Sequence, residues 1–148
     1  MIVTSIRRHT RIAGYDAVVD LGDRLGRHRV RVDGVVVELQ IVGTASLDEA
    51  VAFHELLAEI LAERGRCYVL ADLSEMTAID PRARRYVSDW NRGHRITAGA
   101  AYGASFKGRV IFTLLLNAIR LMNSNAPEVH MARSEPEARR WIAAHVGR

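Results

Sequence analysis

The densest group of side chains able to do chemistry lies in residues 72–85. Asp72, Ser74, Thr77 and Asp80 put two carboxylates and two hydroxyls in one short stretch, and Arg82, Arg84 and Arg85 follow. A carboxylate beside a hydroxyl can move a proton, a hydroxyl can accept a phosphoryl group, and guanidinium groups can hold the phosphate once it is there. Asp72, Ser74, Asp80 and His94 have the residue types of a hydrolytic set, yet their spacing argues for none. The chain has no nucleophile elbow, P-loop or dinucleotide fingerprint. Asp80 also has a competing structural use. It stands directly before Pro81, where its carboxylate can cap a helix and the proline's missing N–H costs nothing.

Other reactive residue types are dispersed. The six histidines, His9, His28, His54, His94, His130 and His145, include no pair at a metal-ligand spacing such as HxxxH. His54 falls on the apolar stripe of a helix and reads as a core or boundary histidine. Glu55, Glu59 and Glu63 fall on the opposite face as a solvated row with no converging ligands. Cys67, the one cysteine, excludes an internal disulfide and any site needing two cysteine ligands. It sits in an apolar run and reads as a core thiol. No metal and no cofactor is expected.

The 148 residues suffice for one domain with a real core. The net charge of +4 comes almost wholly from arginine, Lys107 being the sole lysine, and the cations are interspersed with 17 acids. A nucleic-acid binder would segregate its positive charge into a stripe, so no nucleic-acid partner is expected. No signal peptide is visible. The longest strongly apolar run, residues 110–116, falls far short of the ~20 residues that span a bilayer, so a cytoplasmic protein that is not transmembrane is the expectation.

The elements that must position residues 72–85 can be read in order. Residues 1–26 read as a leader, partly ordered at most, with a basic patch at Arg7, Arg8, His9 and Arg11 and a short strand over residues 15–21. Residues 27–148 read as one α/β domain. Residues 28–32 alternate polar and apolar, Asp33-Gly34 supplies a two-residue hairpin turn, and residues 35–42 form a strand apolar enough to lie inside the sheet. Ser46 and Glu49 form a capping box for a helix to about Glu63, with a stripe at Leu47, Ala50, Val51, His54, Leu57, Ile60 and Leu61, and Gly65 ends it.

Residues 67–71 read as a strand closed by Asp72, residues 73–79 as a connection, and Pro81 as the start of a helix to about Gly93. Residues 97–105 are a small-residue strand. Residues 107–123 are the most apolar helix, with its stripe at Val110, Ile111, Leu114, Leu115, Ala118, Leu121 and Met122. Phe112, Leu116 and Ile119 lie partly off that stripe: the plain reading is a broad core face, and the alternative is a second contact surface covered by self-association or an apolar ligand. Residues 128–132 are the last strand. Ser134 caps the final helix, with Glu137 at the capping-box position. The expected fold is α/β: a mixed, mostly parallel sheet of about five strands with a starting β-hairpin and four helices.

A strand ending in Asp72-Leu73-Ser74, a connection, and Ile79-Asp80 at the mouth of a helix resembles the STAS domain, the fold of the SpoIIAA-type anti-sigma factor antagonists. The closing run from Ser134 to Trp141-Ile142 resembles the final helix of the SpoIIAA-like branch of the STAS/SEC14 group. The resemblance covers roughly residues 28–146. It implies a non-enzymatic regulatory or protein-interaction module. In the antagonists a phosphorylatable serine follows the aspartate, but here Pro81 stands in that place. The usual phosphorylation switch therefore has no hydroxyl at that position, and Ser74 and Thr77 are left as the hydroxyls open to modification.

Two functions follow. In the first, Asp72, Ser74, Thr77, Asp80, Arg82 and Arg85 form a docking surface for a protein partner, or the chain self-associates. In the alternative, implied by the SEC14-like side of the resemblance, the chain binds a lipid or a small apolar ligand in a pocket beside the helix at 107–123.

Overall fold

The structure, a computed structural model, describes residues 5–7, 18–20 and 22–147. Two short strands, β1 (Ser5–Arg7) and β2 (Val18–Asp20), pair antiparallel. The rest of the expected leader strand and the basic cluster at Arg8, His9 and Arg11 lie outside the described residues. A 3₁₀ turn, Gly22–Leu25, brings Leu25 into the core at 8% exposure.

The main sheet has five strands in sequence order: β3 (Arg29–Asp33), β4 (Val36–Ala45), β5 (Tyr68–Ile79), β6 (Ala98–Tyr102) and β7 (Glu128–Met131). The β3–β4 pair is antiparallel, and β4 through β7 run parallel. The helices between and after them are α1 (Leu47–Arg64), α2 (Pro81–Gly93), α3 (Phe106–Met122) and α4 (Glu135–Val146). This is the mixed, mostly parallel sheet with a starting hairpin and four helices that the sequence leads one to expect.

Alternation along the strands divides the core. Tyr68 and Leu70 of β5, with Ala98 and Ala100 of β6, meet Ala138 and Ile142 of α4 on one face. On the other face, Val32 and Val37 meet Leu56, Leu57 and Ile60 of α1 and Trp90 of α2. Ile41, Ala71 and Leu73 on that face meet Leu115 and Ile119 of α3. One face thus carries three helices and the other carries one.

Several boundaries depart from expectation for identifiable reasons. The hairpin turn is Gly34-Val35, not Asp33-Gly34, because Asp33 pairs with Val36, and the positive φ of 60° falls on Gly34. On α1 the buried set is Ala52, Phe53, His54, Leu56, Leu57 and Ile60. It shares His54, Leu57 and Ile60 with the predicted stripe but is turned from it, leaving Leu47, Ala50, Val51 and Leu61 half-buried; the 3₁₀ turn packs on this helix, and Arg24 pairs with Glu55 at 2.7 Å. The capping box at Ser46 and Glu49 forms, and Gly65 ends α1 in the left-handed region. At α4, Ser134 caps Glu137 as expected, but the Glu137 carboxylate bonds His130 at 2.8 Å and accepts the Arg133 amide at 3.4 Å instead of turning back to Ser134.

Helix α3 is rotated from its predicted stripe. Gly108, Leu115, Leu116 and Ile119 are buried, whereas Phe106, Val110, Leu114 and Leu121 are exposed, the outermost at 88%. Apolar side chains ring most of this helix, so periodicity alone could not pick the inward face. One constraint on its rotation is Gly108, which packs against Met76: a Cβ there would lie 3.3 Å from the Met76 methyl.

Candidate functional site

Residues 73–79 are not a connection. They continue β5, pairing Glu75 with Val42, Met76 with Gly43, Ala78 with Thr44 and Ile79 with Ala45. Two register shifts interrupt the ladder, between Gln40 and Val42 and between Gly43 and Thr44. Such irregularities insert residues and re-aim side chains, and here they change the burial period from two to three. Leu73, Met76 and Ile79 are buried, while Ser74, Glu75 and Thr77 are exposed. The sequence reads as a loop because a three-residue spacing does not look like a strand.

The predicted residues therefore lie along a strand edge and the following helix start. Asp72 stands between Gln40 of β4 and Tyr102 of β6. Its Oδ1 accepts the Ser74 amide at 2.9 Å and the Ser74 hydroxyl at 2.7 Å, and Gln40 Nε2 donates to Oδ2 at 3.4 Å and to Glu75 at 3.1 Å. Burial, then the Asp72 carboxylate, pushes the Tyr102 phenol up to about 12, so it stays a neutral donor. Gly103, at φ 82°, closes this group: a Cβ there would fall 3.1 Å from Ser74 Cβ and 3.4 Å from Asp72 Oδ1. Gln40, Tyr102 and Gly103 were missed because they come from other strands, and a single stretch gives no sign of cross-strand register.

Thr77 lies apart from that group, its Oγ1 3.4 Å from Thr44 Oγ1. Asp80 is the N-cap of α2 and accepts the Arg82 amide at 2.8 Å, with Pro81 in the first turn. The Arg82 side chain is 74% exposed, its Nε 3.6 Å from Asp80, and Arg85 is exposed too. His94 caps the other end of α2, about 20 Å from Asp80 at the helical rise per residue. It stacks on Trp90 with centroids 4.4 Å apart. Asp72 and Ser74 meet, but Asp80 and His94 do not converge with each other. Cys67 is wholly buried, and burial pushes its thiol up to about 12. Among the described residues no cluster of His, Cys, Asp and Glu is arranged to hold a metal ion, and no helix is long and apolar enough to cross a membrane.

A polar pocket of about 210 Å³ opens at the Asp72 edge, lined by Gln40, Asp72 and Tyr102 with Arg29, Arg31, Glu38 and Glu135. An apolar hollow lies elsewhere. A cavity of about 160 Å³ separates the sheet from α1, α2 and α3. Leu39, Ile41 and Val69 line it from the strands, Phe53 and Leu57 from α1, Trp90 from α2, and Phe112, Leu115 and Leu116 from α3. Its origin is the small residues along the floor. Ala71 and Gly99 give the central strands almost no side-chain volume on this face, and Ala45 and Ala50 add little at the β4–α1 corner. A well-packed interior leaves few voids larger than a water molecule.

A polar pair borders the cavity. His28 Nδ1 accepts the Val42 amide at 2.9 Å, so the ring hydrogen is on Nε2, which donates to Glu49 at 2.8 Å. Burial alone would raise the Glu49 carboxyl. The Ser46 amide and His28 together outweigh it and hold the group below its ordinary value. On the opposite face of the sheet, Arg139 of α4 grips Glu38 of β4 through two bonds of 3.0 and 2.9 Å. Trp141 is stacked between His130 and His145.

No protein-family model matches this chain, and no curated protein matches it. Solved structures do. The anti-sigma factor antagonist SpoIIAA in its unphosphorylated form superposes with a TM-score of 0.53 at 12% identity, over 78% of this chain and 97% of that one. An uncharacterised protein of the DUF3478 family from Shewanella loihica, described as having a SpoIIAA-like fold, gives a TM-score of 0.50 at 19% identity, over 72% of this chain and 82% of that one. Five strands in sequence order, an opening hairpin, three helices on one face and these two likenesses give one conclusion: the chain has the SpoIIAA-like STAS fold.

Proposed function

We propose that this chain is a non-enzymatic binding module whose ligand is a small apolar molecule held between the sheet and α1, α2 and α3. The cavity carries this reading. Its volume of about 160 Å³ is close to that of an engineered apolar cavity of about 150 Å³ that stays dry and binds benzene. That size also narrows the ligand. A benzene-sized molecule fits, whereas a whole lipid acyl chain does not unless α3 moves away.

The test is thermal unfolding with benzene in solution. A ligand that binds only the folded state raises Tm as its concentration passes Kd. Wild type is expected to gain Tm in this way. Ala71→Leu fills the floor of the cavity and is expected to lose the benzene-dependent gain while staying as stable as wild type without benzene. A wild-type Tm that ignores benzene, or a gain that survives in Ala71→Leu, overturns the reading.

A second reading, a cytoplasmic regulatory module that docks a protein, is favoured by the exposed row Phe106, Val110, Leu114 and Leu121 on α3. It also draws on the edge where Ser74, Thr77, Arg82 and Arg85 are exposed and Asp72 and Asp80 are half-buried. Within it, Thr77 is the better candidate than Ser74 for phosphorylation. The Ser74 hydroxyl is already donated to Asp72, and a phosphate there would face that carboxylate. This reading is supported by a wild-type Tm unmoved by benzene together with phosphate on Thr77 in protein from its native host. An unmodified Thr77 removes the phosphorylation from it.

A further inference from the structure

His54 is the polar side chain that an apolar cavity leaves unexplained. It lines the cavity and is only 9% exposed. Its Nδ1 lies 2.8 Å from the Ala50 carbonyl oxygen one turn earlier on α1. A carbonyl only accepts, so Nδ1 carries the ring hydrogen. Burial lowers the His54 pKa to about 4, which keeps the ring neutral near neutral pH. Nε2 is then a bare lone pair.

Among the described residues, no donor reaches Nε2. Phe53, Tyr86 and Trp90 pack edge-on against the ring, with centroids 5.5, 5.8 and 4.8 Å away, so it is held in place by aromatic surfaces. Of the other polar residues at the cavity, Arg120 is exposed, and the rest make hydrogen bonds within the protein. His28 and Glu49 bond each other, and Asn91 gives its amide hydrogen to the Val87 carbonyl at 2.8 Å. A lone pair at an apolar cavity with no protein donor in reach gains from a donor that a ligand brings.

We propose that the cavity takes a small apolar molecule carrying one hydrogen-bond donor, such as a phenol or a cyclic alcohol, whose hydroxyl donates to Nε2 of His54. The proposal rests on the reading of the cavity as a ligand site and adds the chemical class of the ligand.

Calorimetric titration with benzene, phenol and anisole separates the two claims. Benzene has no donor, and anisole has the oxygen but no hydrogen to give. Wild type is expected to bind phenol about 3- to 10-fold more tightly than either, the effect of one net hydrogen bond. His54→Phe is expected to lose that preference and keep benzene binding. Equal affinity of wild type for all three overturns the donor inference and leaves the cavity reading standing, whereas no binding of any of them overturns both. If His54→Phe does not fold, the ¹⁵N resonance of His54 Nε2 decides. It is expected to shift with phenol and not with anisole, and an unmoved resonance in phenol-bound protein overturns the proposal.

Discussion

At the scale of single residues, the behaviour of His54 is set by what it cannot do. The unfolded chain takes up a proton near the ordinary value of 6.5, whereas the folded ring stays neutral down to about 4. Between those values the unfolded state binds more protons, so stability falls as pH drops from about 6.5 to about 4 and is untouched by this group above that window. The full loss is on the order of 3 kcal/mol. Urea unfolding across that range is expected to show the slope in wild type and a shallower one in His54→Phe, and identical slopes would contradict the assignment. Glu49, held below its ordinary carboxylate value, adds a loss at lower pH still. The helical spacing of His54 made its burial legible in the sequence. Its lone pair was not legible, because whether Nε2 finds a donor depends on residues from other elements.

At the scale of elements, the strand β5 is the main revision. The sequence stops it at Asp72, but it runs to Ile79 and pairs with β4 past two register shifts. Leu73 is therefore a core residue at 1% exposure, while its neighbour Ser74 is exposed. Leu73→Ala is expected to destabilise the fold by about 2–5 kcal/mol, the cost of emptying a core leucine site. Ser74→Ala is expected to cost far less. Chemical denaturation of the two variants checks this, and a similar small effect for both would return residues 73–79 to a loop. The starts of α1 and α2 were legible because their caps are local: Ser46 with Glu49, and Asp80 with Pro81. The inward face of α3 was not legible. Its apolar residues ring the helix, and its burial is decided by elements far away in sequence.

At the scale of the molecule, the sheet carries three helices on one face and one on the other, and the cavity follows from that arrangement together with the small residues of β5 and β6. The fold class and the succession of strands and helices along the chain were readable from the alternation of hairpin, helices and strands. The run Asp72-Leu73-Ser74 with Ile79-Asp80 carried the resemblance to the fold, although residues 73–79 read as a connection and are strand. The void between sheet and helices was not readable, since an alanine or glycine in a strand says nothing about whether a neighbour fills the space above it. The central claim is that this void is a ligand site. It is tested most directly by methyl NMR of the whole chain titrated with benzene. Shifts are expected at Leu39, Ile41, Leu115 and Leu116, which line the cavity, and none at Leu70 and Ile142 under α4 or at the exposed Leu121. Shifts confined to Leu121, or no shifts at saturating benzene, would contradict it.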